Sequence, residues 1–143
     1  MIKTLRWLLV LPMATAGWFI AFAGAVSLHS LIFEFCPSQY LVSGLCTHEW
    51  AFLAEDLLVW FGAFVSAVFV VAFATRTAPA LKSLVATGIL IGGLGAAIWG
   101  YLETDALGAL IGAFLGGFLT WLVIVRKHGW RQPSRYRQYE LFV

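Results

Sequence analysis

Four apolar stretches, each close to the length that crosses a bilayer as a helix, decide what this chain can fold into. They run from Trp7 to Ser30, Ala51 to Ala74, Ser83 to Tyr101 and Ala106 to Val125. About 20 apolar residues rising 1.5 Å each cover roughly 30 Å of hydrocarbon. No stretch alternates polar and apolar residues as a barrel strand does, and lipid leaves the backbone no other way than a helix to satisfy its own hydrogen bonds. The composition agrees. The chain is 62% hydrophobic and 11% charged, with mean hydropathy +0.90. A soluble domain carries about 25% charged residues, and 143 residues could not hide this much apolar surface from water. The expected fold is therefore an all-α integral membrane protein, a single four-transmembrane-helix bundle built as two hairpins.

Charge sets the expected topology. Lys3 and Arg6 precede the first stretch, Arg76 and Lys82 fall between the second and third, and Arg126, Lys127, Arg131, Arg135 and Arg137 follow the fourth. With four spans all nine basic residues collect on one side, while Glu34, Glu49, Glu55, Asp56, Glu103 and Asp105 collect on the other, and Glu140 is the one acid among the bases. The positive-inside rule then puts both termini in the cytoplasm, N-in and C-in. Lys3 and Arg6 ahead of an apolar run that reaches Ala21-Phe22-Ala23 resemble a signal peptide. The apolar run continues past that point to Phe33, so the expectation is a signal-anchor helix. The absence of asparagine, the small size and the short connections point to a bacterial inner membrane.

The connections are short except one. Residues 102–105 join helices three and four, which makes them antiparallel neighbours. Pro79 breaks the connection between two and three. An outer loop over residues 31–50 holds both cysteines, Cys36 and Cys46, ten residues apart. On an oxidising side of the membrane a structural disulfide is the expectation. Free thiols, metal-binding thiols or a redox pair are the alternatives, although redox enzymes present C-x-x-C and this chain has none.

Around that loop lies a polar cluster of His29, Glu34, His48, Glu49, Glu55 and Asp56. A solvated outer face accounts for much of it, and Glu49 suits the first turn of a helix. A zinc or copper site combining His29, His48 and a carboxylate is the sharper reading, and haem a weaker one; no cofactor is expected outright. Glu55 and Asp56 stand at the start of the second span, where one of them can face the bundle interior. They fall at the outer boundary of the bilayer rather than at its middle, and an ionisable group within a membrane span marks an ion or proton pathway.

Small residues recur at four-residue steps. Gly88, Gly92, Ala96 and Gly100 do so in the third span, and Gly108, Gly112 and Gly116 in the fourth. Such stripes let helices approach closely. They are expected either to face each other within one hairpin or to leave one stripe for another subunit. An offset of fifty residues superposes Glu55 on Asp105, Gly62-Ala63-Phe64 on Gly112-Ala113-Phe114 and Arg76 on Arg126, which reads as a faint duplication or as coincidence.

The cytoplasmic tail, residues 126–143, mixes Arg126, Lys127, Arg131, Arg135 and Arg137 with Trp130, a pattern suited to anionic lipid headgroups or to a partner protein. Nucleic acid is not an expected partner. No nucleophile–base pair, phosphate loop, dinucleotide fingerprint or calcium loop occurs. The function that fits best is a non-catalytic accessory or structural subunit of a larger membrane assembly, with membrane lipids and other membrane subunits as partners. A small oligomeric transporter or channel using Glu55 or Asp56 is the alternative. A metal or redox protein using His29, His48, Cys36 and Cys46 is the third.

Overall fold

The computed structural model describes residues 2–43 and 45–128. A short α1 (Ile2–Leu8) leads almost without a break into α2 (Val10–Glu34). The interruption follows from Pro12, which has no N–H to offer the Leu8 carbonyl, while Leu9 and Met13 on either side keep their helical bonds at 3.1 and 3.0 Å. Then come a hairpin of β1 (Leu41–Val42) and β2 (Leu45–Cys46), and three long helices, α3 (Glu49–Thr77), α4 (Lys82–Thr104) and α5 (Leu107–His128). Four helices are long and apolar enough to cross a membrane: Thr4–Glu34, Glu49–Thr77, Lys82–Thr104 and Leu107–His128.

All four run past the spans expected from the sequence. α2 continues to Glu34, and α3 begins at Glu49, where the expected loop 31–50 had not yet ended. The reason lies at the helix ends. His48 caps α3, its Nδ1 accepting the Trp50 N–H at 3.4 Å, with Glu49 in the positive first turn. α3 stops at Thr77, just short of Pro79. α4 and α5 turn on Asp105, which takes a left-handed φ of 55° and gives its N–H to the Tyr101 carbonyl at 2.8 Å.

α3 is the central helix. It packs against α2 on one side and α5 on the other, α5 also packs against α4, and α2 and α4 hardly touch. What is buried is small. Ala51, Ala74, Ala78 and Ala86 are fully buried, whereas Leu8, Leu102 and Trp99 stand about 70% exposed, and no large side chain is fully buried among the described residues. Large apolar groups outside and alanine and glycine between the helices is the reverse of a soluble core. It is the arrangement that suits lipid as solvent, where close backbone contact rather than hydrophobic burial holds helices together.

The hydroxyls of the helices fit the same solvent. Ser27, Ser30, Thr75, Thr77, Thr87, Thr104 and Thr120 each donate to a carbonyl one turn back, at 2.8–3.0 Å. Each donated hydrogen bond closes within its own helix. No side-chain nitrogen or oxygen is buried without a partner among the described residues.

Arg6, Arg76, Lys82, Arg126 and Lys127 lie at one end of the bundle, the basic end. Glu34, Glu49, Glu55, Asp56, Glu103 and Asp105 lie at or near the other, the acidic end. At the basic end α2, α3 and α4 converge, with Val10 and Ala14 packed on Ala74 and Ala78, and Val70, Val85 and Ile89 around them.

Candidate functional site

Because α2 and α4 meet only at the basic end, a cleft opens between them toward the acidic end, floored by α3 and α5. Its volume is about 770 Å³. Small side chains on all four helices make the space. α2 contributes Ala14, Ala21 and Ala25; α3 contributes Gly62, Ala63, Ser66 and Ala67; α4 contributes Gly93, Ala96, Ala97 and Gly100; and α5 contributes Ala109, Ala113 and Gly117. Trp18 and Phe22 of α2 flank it. Along α2 the cleft extends from Ala14 to His29, roughly 22 Å at 1.5 Å per residue.

Its lining is apolar except at a few points. Thr15 lies near the closed end and is bonded to the Pro12 carbonyl at 2.8 Å. Ser66 lies midway. At the acidic mouth His29 of α2 stands on one wall and Tyr101 and Thr104 of α4 on the other. Thr104 is engaged, donating to the Gly100 carbonyl at 2.8 Å and accepting the Ala106 N–H at 3.4 Å. His29 makes an edge-to-face contact with Phe33 at 4.8 Å, which leaves its ring nitrogens without a hydrogen-bond partner among the described residues, as is the Tyr101 hydroxyl.

The polar cluster of the sequence is divided by the fold. Glu55 is half-buried and extends the cleft-facing row of Val59, Gly62, Ser66 and Val70 by one turn at the mouth. Asp56 is exposed and stands one turn from Trp60, whose ring lies against Gly108 of α5. Glu34 and Glu49 are exposed. His48 is occupied as the cap of α3 and lies edge-on to Tyr40 at 4.6 Å. Cys36 and Cys46 are joined in a disulfide with their Cα atoms 5.9 Å apart. It closes a compact cap in which Thr47 gives both its N–H and its hydroxyl to the Tyr40 carbonyl, each at 2.9 Å. Cys36 and Cys46 are bonded to each other, His48 is turned to its own helix, and no group of three or more His, Cys, Asp or Glu that could hold a metal is brought together among the described residues.

The glycine stripes do not meet. A Cβ on Gly108 would run into the Trp60 ring, on Gly112 into the Trp60 carbonyl and on Gly116 into the Phe64 carbonyl, so the α5 stripe packs on α3. The α4 positions do not form one flat face, because four-residue steps drift about 40° each at 3.6 residues per turn. Ala96 and Gly100 have rotated into the cleft, while Gly88 and Gly92 join Gly95 and Trp99 on the opposite, outward side. A Cβ on Gly88, Gly92, Gly93, Gly95 or Gly100 meets nothing within 4 Å. The fifty-residue offset does not bring its glycines into like surroundings: a Cβ on Gly62 would lie 3.5 Å from Ala25 on α2, whereas one on Gly112 would run into α3. Arg126 and Lys127 are exposed at the end of α5; Trp130, Arg131, Arg135 and Arg137 lie outside the described residues.

The cleft itself was not anticipated from the sequence. Its signal was present in the alanines of α2 at positions 14, 21 and 25 and in Gly93, Ala97 and Gly100, each set on one helical face. Which of several small-residue faces stays unfilled depends on how the helices pair. Compared with known protein families, curated sequences and solved structures, the chain matches none.

Proposed function

We propose that this chain is an integral protein of a bacterial inner membrane, four spans with both termini cytoplasmic, and that it serves as a non-catalytic subunit of a larger membrane assembly. The apolar exterior and the small-residue interior support insertion in lipid. The grouping of basic residues at one end and acids at the other supports the orientation. Arg126 and Lys127, exposed at the basic end, suit anionic headgroups there.

The observation that carries the subunit reading is the outward face of α4. Gly88, Gly92, Gly95 and Trp99 lie within about 60° of one another around the helix. The three glycines leave open space above them, and Trp99 stands 69% exposed. A flat, glycine-lined strip edged by a large aromatic ring suits a second transmembrane helix, which gains close backbone contact there. Purification of the tagged chain in mild detergent tests this. A stoichiometric partner subunit is expected to co-purify and to be lost in Gly92→Leu; a lone monomer overturns it.

A second reading has one observation in its favour. Glu55 is half-buried on the cleft-facing row of α3, the position from which a carboxylate could pass a cation or proton into the bundle. A small transporter or channel would lose flux in proteoliposomes on Glu55→Gln, and less so on Asp56→Asn. Undiminished flux in both variants, or no flux in the parent protein, removes that reading.

A further inference from the structure

The cleft between α2 and α4 has a size, a taper and a distribution of polar groups that select one kind of occupant. The cleft offers about 770 Å³, within the roughly 300–1,000 Å³ of pockets that bury one small ligand, so it takes a slender chain. It is closed at the basic end, where Val10 and Ala14 meet Ala74 and Ala78 with Val85 and Ile89 alongside. A chain entering it must therefore have its polar end at the acidic mouth. There His29 of α2 and Tyr101 of α4 line opposite walls with donors that no described residue uses, and Glu55 stands one turn above Val59.

Donors on the two walls of the mouth suit an anionic, acceptor-rich group, and a carboxylate one turn further out on α3 suits an ammonium. A bare fatty-acid carboxylate would meet Glu55 with no positive charge of its own. A phosphate followed by an amine satisfies both. We propose that the α2–α4 cleft binds one acyl chain of a phospholipid with an amine-bearing head, its phosphate held by His29 and Tyr101 and its ammonium by Glu55. The site rests on the membrane reading but not on a partner subunit, because the outward face of α4 lies about 140° around the helix from the cleft.

The test uses the full chain extracted from membranes into mild detergent, with phosphatidylethanolamine as the probe and native mass spectrometry as the readout. The parent protein retains one phosphatidylethanolamine per chain and prefers it to phosphatidylglycerol. Gly93→Leu with Gly100→Leu fills the cleft at two positions where the added atoms meet open space, and lowers retention about tenfold or more, as expected when an apolar tail loses its slot. His29→Ala with Tyr101→Phe leaves the cleft open and lowers retention roughly five- to tenfold by removing head-group donors. Gly24→Leu, which also has open space around it but lies outside the cleft, retains the lipid. Unchanged retention in the filled variant, shown by circular dichroism to keep its helix content, overturns the site. Should that variant not fold, unchanged retention in His29→Ala with Tyr101→Phe overturns it instead. Equal retention of phosphatidylglycerol overturns the head assignment. Failure of the membrane reading is seen separately, as loss of the parent chain from carbonate-washed membranes.

Discussion

The indole N–H of Trp121 on α5 donates to the Thr87 hydroxyl on α4 at 2.9 Å, and Thr87 in turn donates to the Ser83 carbonyl at 2.9 Å. This relay joins two helices through side chains and ties the last hairpin together toward the basic end. Interhelical hydrogen bonds in membranes average about 0.6 kcal/mol and reach about 1.7. Trp121→Phe and Thr87→Val are each expected to lower stability by about 0.5–1.5 kcal/mol in detergent melts followed by circular dichroism. The double variant should fall well short of the sum, because both changes remove one bond. Full additivity would show that the bond contributes nothing.

The glycines of α5 and α4 should respond in opposite directions to the same substitution. A methyl at Gly112 would press on the Trp60 carbonyl, which a backbone atom cannot relieve by changing rotamer. Gly112→Ala is expected to destabilise the isolated chain by about 1–3 kcal/mol. Gly92→Ala meets nothing and replaces the poorest ordinary helix former with the best, so it should be neutral or stabilising by up to about 1 kcal/mol. The comparison is read from melting midpoints of the two variants in one detergent. Equal losses would place both glycines in packed contacts.

How much of this was legible in the sequence divides along physical lines. The number of helices, their order and the segregation of Arg76, Lys82 and Arg126 from Glu34, Glu49 and Asp105 depend on hydropathy and charge, which are written residue by residue. The pairing of Cys36 with Cys46 follows from their being the two cysteines of one loop. The mates of Gly112 and Gly92 are another matter. Both sit in stretches with the same small-residue spacing, and the outcome depends on α3 taking the centre of the bundle. The cleft is a consequence of that choice, since α2 and α4 are left on either side of α3 with nothing between them. Glu55 and Asp56, neighbours in sequence, part company because a helix turns about 100° per residue.

The disulfide cap should matter to stability and not to the bundle. Cys36 and Cys46 close a loop of ten-residue separation. The chain-entropy model gives about 2.5–3 kcal/mol for a ring of that size. Replacing both cysteines by serine should lower the melting midpoint accordingly while leaving helix content unchanged. A variant that loses helicity at room temperature would show that the cap nucleates α2 and α3 rather than joining them.

Orientation can be read chemically. In a Cys36→Ser, Cys46→Ser background, Ser43→Cys in the hairpin turn is expected to react with a membrane-impermeant maleimide in intact spheroplasts. Ala80→Cys in the exposed connection between α3 and α4 should react only after lysis. The reverse pattern would invert the topology.

The outward face of α4 bears the central claim, and cross-linking from it in native membranes tests that claim most directly. A photoreactive side chain in place of Trp99, at the edge of the strip and 69% exposed, stands where a large ring already does and leaves the glycines bare. Irradiation is expected to join the chain in high yield to one defined second polypeptide, and the product to disappear when Gly88, Gly92 and Gly95 are also replaced by leucine. A probe at position 99 that yields only lipid adducts would contradict it.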